Sequence, residues 1–167
     1  MADIEWKQNS DRLKFAGKTF MVSCKVRNEI NKLRTADNIF YTVSNNGTKG
    51  SPSQPRIFPV GNWRVTGFRT VSATEDPKRY KLPIFISTNA HQPLDIWEVK
   101  DGKYIKNTGQ KTEDYAYGLH YSESDYTQGC IRILLLSELF TFVNLFKKVI
   151  SEIDDPAQKW LSFEVTA

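Results

Sequence analysis

The sequence predicts a mainly β protein of the β-rich α+β class, a single domain with one amphipathic helix near its C-terminal end. Three observations carry that expectation. Short segments alternate apolar and polar residues with a period of two, as half-buried strands do. One segment, beyond Leu136, instead repeats its apolar residues at three- and four-residue steps, the spacing of a helix face. Glycine, proline and Asp-Gly turn signals separate the alternating segments. A length of 167 residues suits one domain. A chain of that size buries roughly two thirds of its unfolded surface without help from a disulfide or metal scaffold.

Taken in order, Leu13-Lys14-Phe15-Ala16-Gly17-Lys18-Thr19-Phe20 reads as a hairpin turning at Ala16-Gly17. Its second arm sets Phe20, Val22, Cys24 and Val26 on one face, which puts Cys24 among core side chains. A polar stretch with Gly47, Gly50, Pro52 and Pro55 reads as a long loop. It leads into Ile57-Phe58-Pro59-Val60-Gly61-Asn62-Trp63-Arg64-Val65, a turn entering a strand. Leu82, Ile84 and Ile86 alternate, as do Tyr115, Tyr117 and Leu119, and both sets read as strands. Asp101-Gly102, between Val99 and Tyr104-Ile105, is a two-residue hairpin signal.

Leu139, Phe142, Val143, Phe146, Val149, Ile150 and Ile153 define the helix. Ser137 is its expected cap, and Glu138 suits the positive end of its dipole. Asp154-Asp155-Pro156 is expected to stop it, because proline cannot continue the hydrogen-bond ladder. Leu161, Phe163 and Val165 then alternate with Ser162, Glu164 and Thr166 in a closing strand.

Composition narrows the functional classes. With 40% hydrophobic and 13% aromatic residues the chain has enough apolar material to fold. Its longest apolar run, Ile133 to Leu136, has four residues, far short of the roughly 20 that span a membrane. The opening Met1-Ala2-Asp3-Ile4-Glu5-Trp6-Lys7 has neither the basic nor the apolar region of a Sec-type signal, so synthesis in the cytoplasm without that signal is expected. The net charge of +4 and pI near 9.0 favour an acidic partner. The basic character sits early: residues 1–80 hold 14 Lys/Arg against 7 Asp/Glu, and residues 81–167 hold 9 against 12. No like-charge block, RNP-type aromatic signature or Cys/His finger spacing is present, so no nucleic acid is expected as partner. A diffuse basic surface suits an anionic polymer such as a cell-wall glycopeptide, and equally suits ordinary solubility. Two cysteines 106 positions apart make no disulfide framework.

The chemistry concentrates in Tyr117-Gly118-Leu119-His120-Tyr121-Ser122-Glu123-Ser124-Asp125-Tyr126-Thr127-Gln128-Gly129-Cys130-Ile131-Arg132-Ile133. A thiol becomes a strong nucleophile when ionised, and an imidazole or a set of backbone N–H groups promotes that ionisation. His120 closes one strand and Cys130 opens another, so the polar loop between them can fold back and bring the two together. Gly129 permits a tight backbone turn that aims the N–H groups of Gly129 and Cys130 at a developing oxyanion. Arg132, two positions on, shares a strand face with Cys130 and can hold a carboxylate. The spacing alone also fits a structural thiol, since cysteine is among the most buried residue types.

The arrangement Thr127-Gln128-Gly129-Cys130-Ile131-Arg132, preceded by His120, resembles the active-site signature of the L,D-transpeptidase catalytic domain family (YkuD type). That signature is Ser/Thr, any residue, Gly, Cys, Ile/Val, Arg. Pro55 to Val65 resembles the family's Pro-any-Gly-any-Tyr/Phe segment, and Leu82-Pro83-Ile84 resembles its strand entry. The helix after Arg132 and the closing strand follow the family's order. The similarity covers residues 55–167, which makes 1–54 a β-hairpin and loop extension of a single catalytic domain over 1–167. The opening, from Trp6 to Lys18, resembles the L,D-transpeptidase-like effectors of type VI secretion.

The resemblance implies an L,D-transpeptidase-like β-sandwich or barrel and cysteine-based acyl transfer on peptidoglycan stem peptides, with no cofactor and no metal. Cys130 is the implied nucleophile and His120 the acid–base partner. The backbone at Gln128, Gly129 and Cys130 forms the oxyanion hole, and the Thr127 hydroxyl braces the loop. Arg132 anchors either that loop or a stem carboxylate. Two positions depart from the common pattern: Gln128 stands where many members have His, and Tyr121 where many have Gly. The second change narrows the cleft or supplies a stacking edge. A backbone carbonyl, Ser122, Ser124 or Asp125 is left to orient His120.

Tyr115, Tyr117, Tyr121 and Tyr126 are placed to bracket a peptide or to pack in strands, and Trp63 is the tryptophan best placed to line a cleft. Trp97 and Trp160 read as core or edge aromatics, His91 as a loop residue and Cys24 as structural. A zinc hydrolase recruiting His91, His120 and Cys130 lacks the HExxH or paired-Cys spacing of such enzymes. Competing readings are a non-catalytic peptidoglycan-binding module on the same fold and a thiol amidase or endopeptidase of the cell wall. The resemblance to secreted effectors implies an antibacterial toxin that acts in the periplasm of a target cell. Its further expected partners are a cognate immunity protein and a component of the secretion apparatus.

Overall fold

A computed structural model describes residues 2–24, 39–44, 58–70, 84–90, 94–100, 103–112, 117–121 and 129–167. Along β1 (Ile4–Lys7) Ile4 and Trp6 are buried and Lys7 is exposed, an alternation outside the expected set of elements. The expected hairpin follows as β2 (Arg12–Phe15) and β3 (Lys18–Ser23). Ala16 and Gly17 join them at φ of 51° and 72°. Two successive positive φ values match the right-handed twist of the flanking strands. Phe20, Val22 and Cys24 are all buried, as their alternation requires.

The remaining elements are β4 (Ile39–Ser44), β5 (Gly61–Thr70), β6 (Ile84–Ala90), β7 (Leu94–Lys100), β8 (Lys103–Thr112), β9 (Gly118–Tyr121), β10 (Ile131–Ile133), α1 (Leu136–Ser151) and β11 (Leu161–Thr166). The protein is thus mainly β. Eight strands close into a barrel in the order β1-β11-β5-β6-β9-β10-β3-β2. β1 runs parallel to β11 and β9 to β10, and the other barrel pairs are antiparallel. The other sheet, β4-β7-β8, is antiparallel, and Lys100 pairs with Lys103 at the hairpin end expected around Asp101-Gly102.

The barrel interior is filled by side chains, as eight strands dictate. Phe58 lies at its centre, with ring centroids 4.7 Å from Trp63, 5.4 Å from Phe163 and 5.5 Å from Tyr117. In the N-terminal part, β1, β2 and β3 are all barrel strands. Both ends of the chain meet there. Asp3 Oδ2 accepts the Ser162 backbone N–H at 2.9 Å and its hydroxyl at 2.7 Å.

Helix α1 buries Leu139, Phe142, Val143 and Phe146, four of the residues that define its apolar face. Phe142 packs on Phe15 and Phe20 with centroids 5.0 and 5.4 Å apart. Ser137 is not its cap. Leu135 holds the N-cap position with extended backbone and no side-chain cap bond, and its carbonyl accepts from the N–H groups of Glu138 and Leu139 at 3.0 and 3.2 Å. Ser137 therefore lies inside the first turn. Glu138 Oε2 instead accepts the Met21 backbone N–H at 3.0 Å, clamping the helix start to β3. The helix also ends at Ser151, ahead of Asp154-Asp155-Pro156. The N–H groups of Glu152 and Ile153 reach carbonyls three residues back at 3.2 and 3.3 Å, which tightens the last turn before proline is reached. No described helix is long and apolar enough to cross a membrane.

Candidate active site

Strand β10 lies between β9 and β3, and alternation decides where its side chains go. Ile131 and Ile133 fill the barrel interior. Arg132 turns to the opposite face, and Cys130 stands immediately before the strand. His120 is the register partner of Arg132 across the parallel pair, so it belongs to that face as well. Two paired strands bring an imidazole and a guanidinium into register, and a thiol stands at the entry of one of them.

His120 is 2% exposed. Its Nδ1 lies 3.3 Å from the Tyr121 carbonyl. A carbonyl only accepts, so the contact suits a ring that carries a proton on Nδ1. With Nε2 unprotonated, such a ring has the tautomer a general base needs. Of the groups available to orient His120, the structure supplies this backbone carbonyl; Ser122, Ser124 and Asp125 lie outside the described residues.

Cys130 is half-buried and Cys24 buried, both as thiols. Gly129 has φ of 112°, a conformation that an L side chain resists. Its carbonyl accepts a hydrogen bond from the Cys24 thiol at 3.2 Å. The Cys24 sulfur in turn accepts the Phe58 N–H at 3.5 Å, and the Phe58 carbonyl accepts Gln8 Nε2–H at 2.8 Å. Cys24 is buried in the core as expected, but it also touches the backbone of the motif, a contact that its strand periodicity does not announce.

Two residues expected to contact substrate, Trp63 and Tyr121, pack against the core. Trp63 is 2% exposed in the barrel core, where Phe58 and Tyr117 pack on it and Pro59 accepts its indole N–H at 2.9 Å. It lies on the inward-facing period of β5 with Val65 and borders a surface pocket shared with Asn62, Arg64 and Trp160. Tyr121 packs partly buried against the core, in register with the inward Ile133 and not with the His120 face. Tyr117 packs in the core as well. Trp160 lies at the surface beneath the Arg64 guanidinium, 4.0 Å from its ring centroid. Tyr126, Thr127, Gln128 and His91 lie outside the described residues.

Chemically, the described residues here include a thiol, an imidazole and a guanidinium. Among the described residues no group of three or more His, Cys, Asp or Glu side chains is placed to hold a metal ion. No family model, no curated protein and no solved structure matches the chain.

Proposed function

We propose that the protein is a cysteine-dependent L,D-transpeptidase or L,D-carboxypeptidase that acts on peptidoglycan stem peptides, built on an L,D-transpeptidase-like barrel. One observation carries this reading. Arg132 of the motif pairs in register with His120, whose Nδ1 is turned to a backbone carbonyl, and Cys130 stands immediately before β10. The resemblance of Thr127 to Arg132 supplies the substrate class.

In the proposed reaction Nε2 of His120 takes the Cys130 proton, and the sulfur attacks the carbonyl carbon of the stem's third residue. The C–S bond forms, the C–N bond to D-Ala breaks, and the departing amine takes the proton held by His120. Water then cleaves the thioester to complete a carboxypeptidase cycle, or an amine attacks it to complete transfer. The backbone N–H groups at Gly129 and Cys130 stabilise the oxyanion of each step.

Mass spectrometry of muropeptides incubated with wild type and Cys130→Ala tests this. The expected result is loss of one D-Ala from tetrapeptide stems, or its exchange for an added D-amino acid, with wild type alone. Stems unchanged by both proteins overturn the proposal. The similarity of the opening segment to type VI effectors extends it to an antibacterial role. Toxicity should then require delivery to the periplasm, and equal killing from the cytoplasm would sink that extension.

A further inference from the structure

Cys24 makes two polar contacts that core packing alone does not require. It follows β3, is 7% exposed, and gives its S–H to the Gly129 carbonyl at 3.2 Å while accepting the Phe58 N–H at 3.5 Å. Gln8, itself 5% exposed, steadies the same Phe58 peptide through its carbonyl at 2.8 Å. A run of buried hydrogen bonds therefore ends on the carbonyl of the residue just before Cys130.

A trans peptide is planar, with its C=O and the following N–H pointing in opposite directions. The Gly129 carbonyl is drawn toward a thiol inside the core, so the N–H of Cys130 is directed away from that thiol. The positive φ of Gly129 is what lets the chain present its carbonyl inward immediately before β10 begins. We propose that Cys24 is a positioning residue for acyl transfer at Cys130: its thiol holds the Gly129–Cys130 peptide in the orientation that offers the Cys130 N–H to the oxyanion. The inference rests on the acyl-transfer reading of the site, though not on which acyl group is transferred.

Two reagents separate this role from a structural one. Nitrophenyl acetate acylates Cys130 through an oxyanion: the C–S bond forms, the C–O bond breaks and nitrophenolate leaves. Iodoacetamide alkylates the same sulfur by displacing iodide, with no oxyanion. Both rates are read at Cys130 by peptide mass in wild type, Cys24→Ala, Cys24→Val and Cys24→Ser, beside the thermal midpoint of each. Cys24→Ala should acylate about tenfold more slowly or worse, the direction expected when an oxyanion donor is misplaced. Its alkylation rate should stay within about twofold, since that step makes no use of the donor. Cys24→Val, which fills the space without a donor, should behave like Cys24→Ala, and Cys24→Ser, which keeps a donor, should recover most of the loss.

Acylation unchanged in Cys24→Ala and Cys24→Val, or both rates falling together without recovery in Cys24→Ser, overturns the positioning role. Muropeptides left intact by a wild type whose acylation still depends on Cys24 would end the peptidoglycan proposal and leave this one standing. Muropeptides processed at the wild-type kcat by Cys24→Ala would do the reverse.

Discussion

His120 stands directly across from Arg132 in the parallel register of β9 and β10, and Cys130 stands immediately before β10. The pairing predicts that His120 governs the reactivity of the thiol. At neutral pH, His120→Ala should lower the rate of Cys130 alkylation by iodoacetamide about tenfold or more, because the base that promotes the thiolate is gone. Muropeptide turnover should fall further, by roughly 10²–10⁴-fold, since the leaving amine also loses its acid. Stopped-time alkylation with peptide mapping reads the first effect. Identical alkylation rates in wild type and variant would remove His120 from the mechanism.

Gly129 supplies a separate test. Its φ of 112° is open to glycine and strained for an L residue. Gly129→Ala should cost about 1–3 kcal/mol of stability in urea unfolding. A change of backbone conformation here also moves the Cys130 N–H, so turnover should drop by more than the loss of folded protein accounts for. Full turnover in a destabilised Gly129→Ala would show that the peptide orientation is irrelevant to the chemistry.

The contrast between these residues explains how much the sequence disclosed. Ile131, Arg132 and Ile133 are contiguous, so their strand alternation was legible. Phe163 and Val165 were legible for the same reason, each flanked by polar neighbours on a strand with one buried face. The barrel's closure was not. It depends on β1 pairing with β11, where Asp3 and Ser162 meet across 159 positions, and no local pattern encodes that partnership. The bond from Cys24 to Gly129 spans 105 positions and is hidden for the same reason. The core packing of Trp63 was not legible either, because an amphipathic aromatic suits a cleft and a core equally. Its burial follows from which face of β5 closes the barrel, a fact of tertiary structure.

The helix start offers a paired prediction, because the residue expected as cap and the residue beside it have exchanged importance. Ser137 makes no capping bond, whereas Glu138 holds the Met21 N–H at 3.0 Å. Ser137→Ala should change stability by no more than about 0.5 kcal/mol. Glu138→Ala should cost about 1–2 kcal/mol, from a lost charge-assisted bond to a part-buried N–H and a lost favourable charge at the helix N-terminus. Glu138→Gln, which retains an acceptor, should fall between. Urea midpoints in the reverse order would mean that Ser137 caps the helix in solution.

Packing of the same helix sets the largest expected stability effect. Phe142 is fully buried between Phe15 and Phe20, while Phe140, two residues away, is 45% exposed. A two-residue step on a helix changes the face presented, so the two phenylalanines meet different surroundings. Phe142→Ala removes a ring from an interior whose neighbours are held by barrel strands and can collapse only partly, and should cost about 3–5 kcal/mol. Phe140→Ala should stay within about 0.5 kcal/mol. Chemical unfolding of both variants checks the difference. Below its unfolding transition Phe142→Ala should alkylate Cys130 at the wild-type rate, because backbone pairing with β9 and β3 still holds β10. A slower rate in folded Phe142→Ala would instead show that helix packing sets the geometry of the thiol.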